Sequence, residues 1–267
     1  MANTDDGTLG SNWRVRTDVP HPARVYDYWL GGKDNFAVDR AAAQEALSLV
    51  PEFLDYAVAN RKFLVRAVRF LCAAGIRQFL DIGTGLPTSP NVHEIAQSID
   101  PASRVVYVDN DPVVFMHAEA LMARSPHTGV VRADLRDVDL VASEAARWLD
   151  FDQPVALMFV ACLHHLTDAD DPERVVARYT EAAAPGSYLV LSHQTDEFAP
   201  ERMRKASEEA QRAGLTFVPR SREDILRLFG GRALVSPGLV LVPFWHPDDE
   251  PGLNASRAWA YGGLAAL

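Results

Sequence analysis

The chain has 267 residues, enough for one large α/β domain with a sizeable core or for a domain with a small extension. Hydrophobic residues make up 48% and charged residues 23%, an ordinary globular balance. A formal net charge of −10 counts against a surface that tracks phosphate backbones, so no nucleic acid partner is expected.

The opening stretch "MANTDDGTLGSNW" is polar and acidic and lacks the basic-then-apolar pattern of a signal peptide. Residues 1–20 therefore read as a mobile tail. Residues 21–60 read as a helical cap or lid segment of two or three short helices, broken at Gly31-Gly32 and Pro51. From there residues 61–267 alternate between helix and strand patterns. "ANRKFLVRAVRFLCAAGI" places Leu64, Val65, Val68, Leu71 and Cys72 at helical spacing, with Lys62, Arg66 and Arg69 on what reads as a solvated face. "QFLDI" is the first strand, "NVHEIAQSI" a helix, and "RVVYVD" a second strand with a continuous apolar centre. Asp111-Pro112 supplies an N-cap and a first-turn proline for "PVVFMHAEALMAR".

"GVVRAD" and "PVALMFVA" are the third and fourth strands, and the helix "DPERVVARYTEAAA" leads to a fifth, "SYLVLSH". The stretches "PERMRKASEEAQRAG" and "SREDILRLF" are helical, and "GLVLVPF" with "AWAYGGLAAL" form a closing strand pair. The alternation calls for a doubly wound, mostly parallel sheet, with ligands at the carboxyl ends of its strands. No apolar run approaches the roughly 18 to 20 residues of a membrane span, so the reading is a cytoplasmic protein without a membrane partner. Cys72 and Cys162, both in apolar runs, read as core thiols. No His/Cys/Asp set has metal-ligand spacing, and no metal is expected.

The chemistry gathers at the strand ends. Gly83, Thr84 and Gly85 follow the first strand, and glycines there permit a tight turn with close approach of backbone to ligand. A purely structural turn would use the same residues. Asp109, 24 residues after Gly85 at the end of the second strand, favours a nucleoside, because an acid there accepts from both ribose hydroxyls. Pro87 stands where a dinucleotide loop carries its third glycine, and Asp81 puts an acid beside the loop. Both disfavour a diphosphate and suit a cofactor bearing a cationic amino acid. Asp134 at the end of strand three can accept from an adenine amine while the Leu135 amide serves a ring nitrogen; the alternative is a cap or a pair with Arg132 or Arg136.

"FLDIGTG", "VVYVDND", "RADLRD" and "VALMFVACLHHL", in that order, resemble the successive motifs of class I S-adenosylmethionine-dependent methyltransferases. The stretch "ARVYDYWLGGKDNFAVDR" resembles the signature of a bacterial S-adenosyl methyltransferase family formerly catalogued as a domain of unknown function. The resemblance implies a Rossmann-like seven-stranded sheet with an antiparallel closing strand and an N-terminal helical cap. It also implies S-adenosylmethionine as cofactor and a methyltransferase acting on an unidentified, small-molecule acceptor. On matching positions it places Asp81 near the amino acid end of the cofactor and Gly83, Thr84 and Gly85 against it through backbone. Asp109 takes the ribose hydroxyls, Asn110 flanks the adenine, Asp134 and Leu135 meet its edge, and Val160 and Ala161 lie by the sulfonium.

For the acceptor side, His164 and His193 at the functional edge are the candidate bases, with His165 beside them. Methyl transfer can also run on positioning alone, and the alternative for the histidines is a helix cap or a bond to carbonyls. In the cap, Tyr26 and Trp29 with Lys33 and Asn35 are expected to cover the cofactor about a Gly31-Gly32 hinge; the alternative is an amphipathic helix with the glycines as its C-cap. Two other functions stay open: a cofactor-binding regulator without transfer activity, and an NAD(P)-dependent oxidoreductase.

Overall fold

The computed structural model describes residues 15–122 and 125–267, so the tail expected over residues 1–20 lies mostly outside the described residues. Five parallel strands, β1 (Gln78–Ile82), β2 (Arg104–Asp109), β3 (Thr128–Arg132), β4 (Ala156–Val160) and β5 (Tyr188–Gln194), form most of the sheet. With β6 (Val240–Leu241) and β7 (Ala260–Ala266) the order is β3-β2-β1-β4-β5-β7-β6, and β7 runs antiparallel to both neighbours. This is the expected seven-stranded, doubly wound sheet with an antiparallel closing strand. The strand order reverses at β1, which pairs β2 on one side and β4 on the other. The crevice above that switch point is where such sheets bind ligands.

Alternation along the strands builds two core layers. Phe79, Val105, Tyr107 and Met158 face one layer, where Leu64, Val68 and Leu71 of α3 (Phe53–Ala73) and Ile95 of α4 (Val92–Ile99) cover them. Leu80, Val106, Leu157 and Leu189 face the other, beneath α6 (Val138–Ala145), α7 (Pro172–Glu181) and α9 (Arg222–Arg227). Every residue of β1 is buried, Gln78 and Asp81 included, because both faces of the strand are covered. At α5 (Pro112–Met122) the Asp111 cap forms as read: its Oδ1 accepts from Val113 N at 2.8 Å.

The remaining helices are α1 (Pro22–Trp29), α2 (Ala37–Leu49) and α8 (Pro200–Arg212). Four features differ from the sequence reading. Helix α3 starts at Phe53 and runs unbroken, so the boundary expected at residue 60 falls inside it. Arg66, read as solvated, is buried and donates to the Trp245 and Val242 carbonyls at 2.9 and 2.7 Å; the C-terminal segment covers that face. Helix α6 has no counterpart in the reading. The closing stretch contributes only two strand residues before Pro243 enters a short helical turn over Val242–Phe244.

Candidate cofactor and active site

A cavity of about 800 Å³ lies at the carboxyl ends of the strands. One end is built by the glycine loop. Gly83 N and Thr84 N both donate to the Val108 carbonyl, at 2.8 and 3.1 Å, hooking the loop to the end of β2. Gly83 has φ +71°, and a Cβ there would sit 2.5 Å from the Cys162 Cβ, so only glycine fits. Gly85 N donates to Asp109 Oδ2 at 2.9 Å, and Asp109 Oδ1 accepts from Asp111 N at the same distance. The Thr84 hydroxyl donates to Asp81 Oδ2 at 2.9 Å. Asp81 is 4% exposed, and burial pushes its carboxyl up to about 6. Burial raises Asp109 as well.

Beyond Gly85 the chain does not enter a helix. It loops through Leu86 and Pro87, and α4 starts only at Val92. Asn91 and Glu94 form a reciprocal capping box there, with Asn91 Oδ1 also accepting from Thr88 N at 3.0 Å. That helix N-terminus is closed by its own acid and offers no seat to a pyrophosphate.

The cavity continues past Asn110, Asp134 and Leu135 on one side and Val160 and Ala161 on the other. Asp134 pairs with Arg136, which reaches it at 2.7 Å and Asp170 at 2.8 Å, and this hydrogen bonding holds its carboxyl below the usual range. The pairing weighed from the sequence therefore exists at a residue that also lines the cavity. Ala161 has φ +64°, uncommon for a side chain of any size, and its N–H is held by the Ser192 hydroxyl at 3.0 Å.

The other end of the cavity is apolar and aromatic. Tyr26 and Trp29 of α1 line it together with Phe53, Tyr56, His164 and Phe217. Trp29 stacks on Phe53 at 4.9 Å, and the His164 ring stands edge-on to Phe217 at 5.8 Å. His164 is 3% exposed; burial, with His165 and His193 nearby, holds its ring well below its ordinary value. Its Nδ1 is buried without a hydrogen-bond partner.

Three expected residues lie outside the cavity wall. His193 is fully buried, with Nδ1 on the Gln194 carbonyl at 2.7 Å and Nε2 accepting from Arg220 at 3.1 Å, and burial lowers it to about 3. Both nitrogens are occupied, so it has no free position from which to act as a base. Lys33 is exposed on the turn after α1. Asn35 is buried in that turn, donating to Asp27 Oδ2 at 2.7 Å and to the Gly32 carbonyl at 3.1 Å. Gly31 follows the C-cap Leu30 of α1 with φ +79°, and a Cβ on Gly32 would lie 1.9 Å from Asp27 Oδ1. The glycines close the helix, as in the alternative weighed for them.

The sequence reading passed over Tyr56, Asn60, Arg61 and Gln194, all of which line the cavity. Arg61 donates to the Thr88 and Pro90 carbonyls and lies close enough to Asp81 to favour its charged form. A longer α3 would have revealed the first three, since Tyr56 and Asn60 share one helix face. Among the described residues no His/Cys/Asp/Glu group is arranged to hold a metal ion, and no helix is long and apolar enough to cross a membrane.

This crevice, with its glycine loop and acids ending β1, β2 and the turn after β3, defines a nucleoside-cofactor protein of the class I methyltransferase architecture. A family model described as S-adenosyl methyltransferase matches residues 10–267, and the chain belongs to that family. S-adenosylmethionine is accordingly its cofactor and methyl transfer its reaction class. The chain is similar to a DUF574 family protein of Streptomyces avermitilis MA-4680, at 42% identity and a TM-score of 0.91 over 95% of this chain and 99% of that one. It is likewise similar to a Thermobifida fusca YX protein described as a candidate methyltransferase, at 43% identity and 0.87 over 94% and 96%. An S-adenosylmethionine-dependent methyltransferase of Anabaena variabilis ATCC 29413 shares the fold at 14% identity and a TM-score of 0.50, over 75% and 83%. No curated protein matches the chain.

Proposed function

We propose that the protein transfers a methyl group from S-adenosylmethionine to a small-molecule acceptor held in the same cavity. The observation that carries this is the continuity of the cavity, from the buried carboxyls of Asp81 and Asp109 to the aromatic chamber of Trp29, Tyr56 and Phe217. Its volume falls within the roughly 300–1,000 Å³ range of small-molecule sites.

The residues present fit the cofactor. Asp81 is a buried acid whose one side-chain partner is the Thr84 hydroxyl, a setting completed by a cation. In this reading Asp81 meets the ammonium, and Arg61, missed in the sequence, meets the carboxylate. Each Asp109 oxygen accepts one backbone N–H and keeps a lone pair for a ribose hydroxyl. The Gly83 to Gly85 backbone supports the amino acid end, Asn110 flanks the adenine, and Asp134 with the Leu135 amide reads its edge. Val160 and Ala161 lie beside the reacting centre. When bound, S-adenosylmethionine supplies a methyl group on a positively charged sulfur. The chain's own contribution is to hold the acceptor in line and to exclude water beneath α1 and α2.

The capped N-terminus of α4 disfavours an NAD(P) oxidoreductase. Buried thiols at Cys72 and Cys162 fit a cytoplasmic setting. Calorimetric titration with S-adenosylhomocysteine and with NAD tests the cofactor assignment, and mass spectrometry of incubated small-molecule mixtures tests transfer. Binding of NAD alone, or cofactor binding without any methylated product, would remove the reading.

A further inference from the structure

The aromatic end of the cavity carries a second pattern. Three side chains there, Tyr56, His164 and Gln194, are each at most 3% exposed. Each also leaves a polar atom, Tyr56 Oη, His164 Nδ1 or Gln194 Oε1, buried without a hydrogen bond of good geometry. The Tyr56 hydroxyl lies beside the Gln194 side chain, and the Tyr56 and His164 rings are 6.4 Å apart. A buried polar atom left unpaired costs about 1 to 3 kcal/mol. Here His164 Nδ1 has no partner, and the Tyr56 hydroxyl and Gln194 side chain have only each other, so the group marks a place that a ligand completes.

The walls around them are apolar and small. Helix α2 presents Val38, Ala42 and Ala46, and α8 presents Ala206 and Ala210, with Ala213 just past its end. The basic residues of the lining are Arg61 and Arg136, engaged with the Thr88 and Pro90 carbonyls and with Asp134 and Asp170. Arg61 is taken by the cofactor's carboxylate in the proposed reading, and the acids on α2 and α8 are Glu45 and Glu209, so an anionic acceptor would meet carboxylates and no uncommitted cation. A cationic one would lose its hydration over a floor of neutral groups.

From the convergence of Tyr56, His164 and Gln194 beneath apolar walls, we infer that the acceptor is an uncharged, largely apolar molecule of aromatic size bearing a hydroxyl group, which these three side chains recognise. A hydroxyl donates once and accepts as well. It can give its hydrogen to His164 Nδ1 or Gln194 Oε1 while taking one from Tyr56. The inference rests on the proposed methyl transfer but concerns only the acceptor half of the cavity.

Fluorescence and calorimetric titrations of 2-naphthol, with naphthalene-2-carboxylate as the charged control, test it in protein saturated with S-adenosylhomocysteine. 2-Naphthol should saturate below about 1 mM, and the carboxylate should bind at least about tenfold more weakly. Tyr56→Phe and Gln194→Leu should each weaken 2-naphthol at least about tenfold while leaving S-adenosylhomocysteine within about twofold. The ligand-free melting temperature of these variants should stay level, because each change keeps the side-chain volume and removes at most the Tyr56–Gln194 pairing. Lack of saturation by 2-naphthol, equal binding of the carboxylate, or unchanged affinity in both variants would overturn the inference. So would a fall in melting temperature with loss of both ligands, which would make the groups structural. Failure of the wild type to bind S-adenosylhomocysteine would strike instead at the cofactor reading.

Discussion

The Ser192 hydroxyl donates to Asn60 Oδ1 at 2.6 Å, joining β5 to α3 across 132 residues of sequence. Asn60 Nδ2 in turn donates to the Tyr26 hydroxyl at 3.0 Å, and Tyr26 donates to the Ala57 carbonyl at 3.0 Å. At the other end Ser192 holds the left-handed Ala161. One amide thus ties the strained residue at the end of β4 to the helical cap. Asn60→Ala would leave Ser192 and Tyr26 short of partners at a buried position, and stability should fall by about 2 to 4 kcal/mol. Urea unfolding should show a lower midpoint with an unchanged slope; an unchanged midpoint would mean that the chain of bonds carries no weight.

Asp109→Ala should weaken S-adenosylhomocysteine by about 2 to 4 kcal/mol in calorimetry if Asp109 accepts from the ribose hydroxyls as proposed, since the change also frees the Gly85 amide. Asp134→Ala should cost less, since that carboxylate is shared with Arg136 and a quarter exposed. The reverse order would shift the ribose contact away from β2.

Asp81 should give a pH signature. Its folded carboxyl is raised to about 6 from an ordinary 3.8. Below about pH 4 both folded and unfolded chains hold the proton, and above about 6 neither does, so folding stability falls across that window as pH rises. Asp81→Asn removes the penalty and should stabilise the ligand-free protein near pH 7 by about 2 to 3 kcal/mol, with little effect near pH 4. Cofactor affinity moves the other way: the proposed contact with an ammonium needs a charged Asp81, so wild-type affinity should drop below about pH 6 while the variant stays weak and flat. Melting curves and titrations at both ends of the range check the two signs.

The strand ends were legible because alternating burial and acidic termination are local patterns: Asp81, Asp109 and Asp134 could be placed from spacing alone. The aromatic end of the cavity was not. Tyr56 sits in a helix whose start was read too late, Gln194 ends a strand whose other residues are core, and their meeting depends on the sheet order. Arg66 misled for a related reason. Helical periodicity marks the face turned from the sheet, but the segment near Trp245 returns to bury it. His193 had the right address at a strand end, yet Arg220 closes its ring off from the cavity.

Arg24 offers a test of the cap itself. Its guanidinium, 4% exposed, lies 3.3 Å from Asp39 of α2 and 3.0 Å from Asp111 at the start of α5, and both carboxylates are buried. It also donates to the Arg16 and Val19 carbonyls. His21 adds a contact to Asn110 at 3.1 Å, so α1 is fastened above the Asn110 side of the cavity. Arg24→Met keeps much of the volume but strands two buried acids, a change that costs about 3 to 5 kcal/mol. The cap is joined to the rest of the domain by this cluster, by the Tyr26 and Trp29 rings on α3 and by α2 packed on α8, so the loss should appear first as local opening. Hydrogen exchange should quicken over residues 22–49 while amides of β1 to β5 stay protected, and S-adenosylhomocysteine should bind at least about tenfold more weakly. Uniformly faster exchange through cap and sheet together would show that α1 and α2 are inseparable from the core and do not act as a cover of their own.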